Sequence, residues 1–221
     1  MPSKALVDSS ELLVKNFKMP FWRFTNSGTE ATLDAIRMSR ARSARSYIIK
    51  GVSFSNVICT DRKLLTLYLL CSVHYFKVES GYHGHHDAVW VSIHAGLRSD
   101  GDIPSTPFCS GIPKEVSDLT LVAEFNNIDS IKAYITKYPD QIACVIVEPV
   151  QLNCSMIKPI NGYLQSVIEV CKPLGIAVIF DIVKLNTAVS YENISQFWDA
   201  SCGPDMVSKI SVSYRRILKV I

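Results

Sequence analysis

The stretch GIAVIFD, residues 175–181, decides the fold class of this chain. It holds an unbroken apolar run from Ile176 to Phe180 and ends in Asp181. A run of that length is too short for a helix and is typical of a strand buried on both faces, as in a parallel sheet. The carboxylate of Asp181 would lie at the carboxyl end of the strand, which is where open α/β sheets bind their ligands.

A second stretch, ACVIVEP at residues 143–149, repeats this arrangement and places Glu148 directly after a strand. Two acids at one edge of a sheet indicate a site, although either acid alone would equally fit a helix cap or a surface carboxylate. Apolar residues at helical spacing predict helices at 128–138 and 162–172. The alternation of strands and helices predicts an α/β fold with a mostly parallel sheet and crossover helices.

The composition excludes several classes of function. The chain has 221 residues, of which 48% are hydrophobic and 19% charged, so we expect one soluble globular domain or one large fragment. A net charge of +3 is too small to argue for nucleic acid as a partner. The longest apolar stretch, 64–73, is far shorter than a membrane span, so we expect no membrane segment. A basic cluster is expected to form the solvated face of a helix: Arg37, Arg40, Arg42 and Arg45.

The seven cysteines are scattered, are odd in number and show no CxxC spacing. Together with the lack of a signal peptide, this pattern predicts reduced thiols in the cytoplasm. Cys144 and Cys171 fall on predicted core faces, where we expect unreactive packing residues.

Near the amino terminus, a predicted strand at 21–25 leads through the turn NSGTE, residues 26–30, into a helix of about 16 residues. A glycine turn before a helix offers unpaired N–H groups and a positive dipole, and this geometry binds phosphate. Serine and threonine before a helix are also ordinary capping residues, so the motif alone leaves both interpretations open.

The densest polar cluster is YHGHHD, residues 82–87. Its histidines are nearly contiguous, whereas metal ligands normally come from spaced positions, so we expect no metal here. The favoured interpretation is a loop in which Tyr82 and one histidine face a planar ligand while the other histidines form local hydrogen bonds.

Four motifs occur in a fixed order: NSGTEA at 26–31, YHGHHD at 82–87, VEP at 147–149 and FDIVK at 180–184. This order resembles the class III aminotransferases, the pyridoxal-phosphate enzymes that include glutamate-1-semialdehyde 2,1-aminomutase. The resemblance covers 20–50 and 79–209, with agreement also at GIP, 111–113, and GPDM, 203–206. It implies the type I pyridoxal-phosphate transferase fold, of which this chain would form the large-domain core.

The resemblance assigns contacts to the ring of the cofactor, pyridoxal 5'-phosphate. It implies that Asp181 pairs with the protonated ring nitrogen, which keeps the ring an electron sink. Tyr82 would stack on the ring with His83 beside it, and Val183 would pack against the opposite face. Glu148 would lie at the neighbouring strand end.

The resemblance also implies that Ser27, Gly28 and Thr29 hold the cofactor phosphate through backbone amides and hydroxyls. The family's catalytic lysine, which forms a Schiff base with the cofactor, corresponds in register to Lys209. That lysine follows the Pro-Asp pair about two residues earlier than in the family, so an ordinary surface lysine is the alternative.

Other departures from the family pattern concern whole segments. Segment 51–78 interrupts the pattern and is interpreted as an insertion foreign to the family, such as an unspliced intron; a tryptic peptide spanning it would contradict this. We expect domain segments at 1–50 and 79–209 and an atypical tail at 210–221. The family's C-terminal small domain and most of its N-terminal region are expected to be missing. Single residues also differ from the family pattern: Ile182 stands where an acid usually follows the aspartate, and Leu185 and Asn186 replace the usual Thr-Gly pair.

The predicted activity is transfer of an amino group from a small-molecule donor to a keto or aldehyde acceptor through Schiff-base chemistry. Two alternatives stay open, an aminomutase-type isomerase and a non-catalytic remnant of such an enzyme. Members of the family form homodimers, and the same assembly is expected here.

Overall fold

The structure, a computed structural model, describes most of the chain in eight ranges: 3–17, 19–52, 81–92, 104–154, 156–160, 162–185, 206–208 and 211–214. Lys209 and most of the segment 51–78 lie outside these described residues.

Seven strands form one sheet in the described part of the chain, in the order β1-β7-β6-β5-β4-β2-β3. Their bounds are β1 Phe21–Phe24, β2 Tyr47–Val52, β3 Thr120–Glu124, β4 Ile142–Val147, β5 Ala177–Asp181, β6 Met206–Ser208 and β7 Ser211–Tyr214. Neighbouring strands from β3 through β2, β4 and β5 to β6 pair in parallel. β7 is antiparallel to both of its neighbours, β1 and β6. The prediction of an α/β fold with a mostly parallel sheet is confirmed.

Five α-helices accompany the described strands: α1 Lys4–Phe17, α2 Gly28–Ser43, α3 Lys114–Ser117, α4 Ile128–Lys137 and α5 Tyr163–Cys171. The predictions of a helix of about 16 residues after the turn 26–30 and of helices near 128–138 and 162–172 are confirmed, although the first of these helices already begins at Gly28, inside the predicted turn. Asn127 starts α4 because its side chain accepts hydrogen bonds from the N–H groups of Asp129 and Ser130. None of the described helices is long and apolar enough to cross a membrane.

The two buried strands β4 and β5 divide their side chains between two cores, one on each face of the sheet. Val145, Val178 and Phe180 belong to a cluster with the side chains of α5. Cys144 and Ile179 point the other way, into a cluster with the side chains of α2. Because helices cover both faces, these strands are apolar along their whole length, as in the runs that first suggested the fold.

The free thiols of Cys144 and Cys171 are buried in these two cores. Burial raises the pKa of Cys144 to about 12, so this thiol stays protonated and unreactive. Both cysteines therefore pack as the sequence predicted.

Two strands of the sheet include residues from the segments predicted to be an insertion and a tail. Gly51 and Val52 belong to β2, paired with Ala123 and Glu124, so the sheet extends into the segment 51–78. Ser211–Tyr214, which was assigned to the tail, forms β7 between β6 and β1. Serine alternates here with Val212 and Tyr214, which is the period of a strand, but four residues are too few for this pattern to be recognised.

The arginine cluster is only partly solvated, which corrects the expectation of a fully solvated face. Arg37 and Arg42 are exposed. Arg40 Nε donates to the carbonyl of Ser46, and burial lowers the pKa of its guanidinium. Arg45 donates to the carbonyls of Ile142 and Leu174, 3.2 and 2.9 Å away. These two residues tie the end of α2 to the amino-terminal side of the sheet.

Candidate functional site

A cavity of about 150 Å³ opens where the carboxyl ends of β4 and β5 meet the first turn of α2. Its lining comes from four separate parts of the sequence, namely Gly28, Thr29, Tyr82, His83, Gly84, Glu148, Asp181, Val183 and Lys184. All nine of these residues lie in the four motifs singled out from the sequence. The carboxyl ends of parallel strands lie at the same edge of a sheet, which explains why residues so distant in sequence meet here.

Asp181, the last residue of β5, is 5% exposed. Its Oδ2 lies 2.9 Å from Nδ1 of His83, whose side chain is fully buried. Its Oδ1 accepts the N–H of Val183 at 3.1 Å, which turns the chain back over the cavity. Each carboxylate oxygen has more than one acceptor position, so the group retains capacity for a further donor.

Glu148, directly after β4, is also buried, at 3% exposed. Its Oε1 accepts the backbone N–H of Tyr82 at 2.9 Å. Burial raises the pKa of Glu148, and the charge of Asp181 raises it further, while His83 and the Tyr82 N–H act in the opposite direction. The acid thus anchors the residue whose aromatic ring forms one wall of the cavity.

Gly84 allows the segment 81–86 to lie directly against α2. Its φ is +97°, and a Cβ at this position would lie 2.7 Å from Thr29 Oγ1 and 2.9 Å from Thr29 Cα. A side chain is excluded twice, by the backbone conformation and by the contact. Gly28 meets a similar limit, since a Cβ there would lie 2.7 Å from Val183 Cγ1.

The first turn of α2 serves as a cap and as part of the cavity wall. Ser27 accepts the N–H of Glu30 at 3.2 Å, and Glu30 in turn accepts the N–H of Asn26, the residue before the cap, at 2.7 Å, an arrangement similar to a capping box. The capping interpretation of Ser27 is therefore correct. Gly28 and Thr29 line the cavity. Their N–H groups belong to the first turn of α2, where no backbone carbonyl of the helix can accept them.

The three histidines have different surroundings. His83 contacts Asp181, whereas His85 Nδ1 lies 3.4 Å from Thr29 Oγ1. His86 Nε2 lies 3.3 Å from Oγ1 of Thr32, and burial followed by nearby positive charge lowers the pKa of His86 to about 4. Within the described residues, no group of three or more His, Cys, Asp or Glu side chains is arranged to hold a metal ion.

Sequence reasoning missed three residues around the site. Thr32, fully buried in α2, donates to the carbonyl of His83 at 2.6 Å. Lys50, fully buried in β2, donates to the carbonyls of Val89 and Val91 at 3.1 and 2.7 Å. The signal for Lys50 was a charged residue inside an apolar strand. Lys184 stood in a quoted motif but was given no role.

Lys209, the predicted catalytic residue, lies outside the described residues. It follows β6, whose last residue, Ser208, is paired in register with Asp181.

Fold and cavity together define an α/β protein with a cavity, lined by two acids, at the carboxyl edge of a parallel sheet. The sequence profile of the family described as Aminotransferase class-III matches residues 1–188. The chain belongs to this family, so the resemblance inferred from the four motifs is confirmed. The match begins at residue 1, further toward the amino terminus than the motifs reached, and it ends before Lys209.

Among curated proteins, the chain is 35% identical over 206 residues to the glutamate-1-semialdehyde 2,1-aminomutase of Sulfurihydrogenibium sp. (strain YO3AOP1), covering 93% of this chain and 39% of the relative. It is 36% identical over 186 residues to the enzyme of the same name from Francisella tularensis subsp. holarctica, covering 84% of this chain and 36% of the relative. The chain thus spans about two fifths of the length of these relatives.

Among solved structures, an omega-transaminase from Sphaerobacter thermophilus superimposes with a TM-score of 0.79 at 26% identity. The superposition covers 100% of this chain and 47% of the transaminase. A glutamate-1-semialdehyde aminomutase from Pseudomonas aeruginosa PAO1 in complex with PMP gives a TM-score of 0.70 at 19% identity, over 97% of this chain and 41% of that protein. At that identity the second likeness supports the fold alone.

Replacement of Gly84 by alanine tests the close approach of the segment 81–86 to α2. Gly175 is the matched control, because it also has a positive φ, +67°, but a Cβ there meets nothing within 4 Å. We expect Gly175→Ala to cost about 1 kcal/mol of unfolding free energy and Gly84→Ala at least about 2 kcal/mol, measured by urea denaturation. Equal costs for the two variants would contradict the contact with Thr29.

Replacement of Glu148 by glutamine tests the buried acid. Because burial raises the pKa of Glu148, its favourable contribution is complete below the pKa of an unfolded glutamate, about 4.3, and is lost as pH rises through the folded value. Glutamine keeps an oxygen for the Tyr82 N–H and cannot ionise. We therefore expect the unfolding free energy of Glu148→Gln, relative to wild type, to increase between about pH 4 and pH 8.

The control for this pH series is Glu115→Gln, at an exposed position in α3. We expect the relative stability of that variant to stay flat with pH. A flat profile for Glu148→Gln as well would show that the acid at 148 is not buried in the folded chain.

Proposed function

We propose that this chain is the cofactor-binding large-domain core of a pyridoxal-phosphate-dependent transaminase. The observation that carries the proposal is Asp181, a buried carboxylate that lines a cavity the size of a single ring beside Tyr82. A buried carboxylate held by a histidine is suited to pair with a cationic ring nitrogen, because the cation offsets the cost of its burial.

The residues present fit the cofactor. A cavity of about 150 Å³ matches the size that accepts one six-membered aromatic ring. Gly28 and Gly84 let Val183 and Thr29 pack directly against the backbone segments that line the cavity. Asp181 retains a free acceptor position, and two of the cavity's walls, Tyr82 and Val183, supply ring-contacting surfaces.

In this proposal Asp181 would hold the ring nitrogen, and Tyr82 and Val183 would supply the surfaces that contact the ring. The backbone amides and hydroxyls of Ser27, Gly28 and Thr29, at the positive end of α2, would hold the phosphate. Ser27 contributes through the cap that fixes this turn. His83 keeps Asp181 in place, and Glu148 keeps Tyr82 in place. When bound, the cofactor supplies an electron sink for the carbanion formed at the substrate's Cα.

Lys209 is the proposed catalytic residue, which would bond covalently to the cofactor and move the proton at the substrate carbon. Its place in the sequence supports this role, because the preceding residue, Ser208, is in register with Asp181 at the carboxyl edge of the sheet.

The proposed substrates are a small-molecule amino donor and a keto or aldehyde acceptor. The aminomutase reaction is a second candidate, favoured by the curated relatives of that name at 35 and 36% identity. The superposition on an omega-transaminase favours the first. A homodimer and a cytoplasmic location remain part of the proposal, and the free thiols of Cys144 and Cys171 support the latter.

We also propose that the segment 51–78 is an insertion, apart from Gly51 and Val52, which belong to β2. A Cβ on Gly81 would lie 2.5 Å from the carbonyl oxygen of Gly51. The two flanks of the segment therefore meet in space, which supports a direct junction in the ancestral chain.

The test of cofactor binding uses 4-deoxypyridoxine 5'-phosphate, an analogue with the ring and phosphate but no aldehyde, titrated calorimetrically into the full chain. We expect saturable binding at one site. Because a hydrogen bond between charged groups contributes about 1.5–3 kcal/mol, Asp181→Asn should weaken binding roughly 10- to 100-fold. Asp118→Asn, at an exposed position paired with Lys114, is the control and should bind as wild type does. Equal affinities of Asp181→Asn and wild type would contradict the proposal.

A further inference from the structure

Lys50, in the interior of β2, is completely buried although its side chain carries a charge. Its ammonium group donates to the carbonyl of Val89 at 3.1 Å and to the carbonyl of Val91 at 2.7 Å. Both acceptor residues are themselves buried. A charge removed from water is costly unless polar partners replace the water, and backbone carbonyls take that place around this ammonium.

The two carbonyls that Lys50 holds belong to a short stretch that pairs with other backbone on its opposite edge. Val91 forms an antiparallel bridge with Pro107, and the carbonyl of Trp90 accepts the N–H of Phe108 at 3.0 Å. Successive residues of a paired chain direct their carbonyls to opposite edges, so the carbonyls on either side of Trp90 face away from this pairing. Lys50 therefore supplies the hydrogen bonds that a neighbouring strand would otherwise give to this edge.

The carboxyl end of β2 meets both ends of the segment 81–92, which contributes the Tyr82 ring to the cavity. At the start of this segment, Gly81 packs directly against Gly51, since a Cβ on Gly81 would lie 2.5 Å from the carbonyl oxygen of Gly51. At the end of the segment, the carbonyls are held by Lys50. Two consecutive residues of one strand thus fix the segment that forms the aromatic wall of the cavity.

Hydrogen bonds connect the end of this segment to the cavity lining. The carbonyl of His86 accepts the N–H of Val89 at 3.0 Å, which closes a tight turn. The ring of His86 lies 3.3 Å from Oγ1 of Thr32, and this hydroxyl donates to the carbonyl of His83 at 2.6 Å. A displacement of Val89 would therefore disturb the bonds that hold His83, whose ring contacts Asp181.

We propose that Lys50 is a positioning residue of the cavity: by holding the carbonyls of Val89 and Val91, it keeps the segment 81–92 in the conformation that binds the cofactor ring. The inference rests on the proposed function, since it takes that ring to be the ligand. Lys50 is outside the set of residues that line the cavity, so it acts through the backbone. An apolar side chain of similar length would leave both carbonyls without this donor, and buried acceptors that lose a donor favour another conformation of the segment.

The test compares Lys50→Met with wild type in the full chain, under conditions in which both are folded. Calorimetric titration with 4-deoxypyridoxine 5'-phosphate gives the affinity of the cavity. A site that is competent for only part of the time binds more weakly in proportion, so we expect the variant to lose about tenfold in affinity. A purely structural role of Lys50 would lower the free energy of unfolding but leave the affinity of the folded protein unchanged.

Amide hydrogen exchange, measured by mass spectrometry on the same proteins, locates the change. In Lys50→Met we expect faster exchange in the peptides that cover 81–92, and saturating analogue should restore their protection, because binding and segment conformation are coupled in both directions. Lys132→Met, at an exposed position of α4, is the matched control and should alter neither the affinity nor the exchange of this segment.

Thr120→Val is a second variant, which decides the question if Lys50→Met does not fold. The hydroxyl of Thr120, buried in β3, donates to the carbonyl of Ala88 at 2.6 Å, next to the residues that Lys50 holds. Valine has nearly the same shape but lacks the donor. We expect this loss of one neutral hydrogen bond to weaken analogue binding in the same direction, by about threefold.

The outcomes separate this inference from the proposed function. Unchanged affinity of folded Lys50→Met, or faster exchange spread evenly over the chain, would overturn the role of Lys50 and leave the cofactor site standing. If Lys50→Met does not fold, unchanged binding by Thr120→Val would overturn the inference in its place. Failure of the analogue to bind wild type would overturn the proposed function and this inference with it.

Discussion

The hydrogen bond between His83 Nδ1 and Asp181 Oδ2, 2.9 Å long, is the interaction on which the rest of the site depends. Both side chains are almost completely removed from solvent. A buried carboxylate without partners would carry a large desolvation cost, so the strand end is stable in this form only with donors in place. His83 supplies one donor and the N–H of Val183 supplies the other. Loss of the first bond would leave two buried polar groups unpaired.

This bond also determines where the aromatic wall of the cavity lies. His83 stands between Tyr82 and Gly84, and the segment is held at each of these residues by a different part of the fold. Glu148 accepts the N–H of Tyr82, and Thr29 packs against Gly84. The ends of two parallel strands and the start of α2 thus converge on three consecutive residues. In such a network each bond assists the others, and a partly satisfied network would be less stable than an apolar core.

The sequence predicted the elements of the site better than their contacts. Apolar runs ending in Glu148 and Asp181 sufficed to place two acids at one edge, because strand length and burial follow from local pattern. The pairing of His83 with Asp181 was not predictable, because residues 98 apart meet only once the sheet has formed. The place of Lys184 in the cavity lining depends on a turn closed by the Asp181 side chain, which composition does not encode.

The sheet shows the same difference between features that follow from a local sequence pattern and features that depend on tertiary contacts. The long, apolar strands β4 and β5 were evident from the sequence, whereas β6 and β7 have three and four residues and too little pattern to be recognised. β7 pairs with β1 across nearly the whole chain, Phe21 with Tyr214, and a long-range pairing of this kind leaves no local signal. The positions at which prediction failed are therefore those defined by tertiary contacts.

The most direct measurement of the central interaction is the protonation pattern of the His83 ring, by ¹H–¹⁵N NMR correlation of the imidazole nitrogens in the chain labelled with ¹⁵N-histidine. Because a carboxylate accepts, Nδ1 must carry the proton. The account predicts a proton bound to Nδ1 of His83 that exchanges slowly with water and is lost from the spectrum in Asp181→Ala. A His83 ring with an unprotonated Nδ1, or one whose signals do not respond to the change at 181, would contradict it.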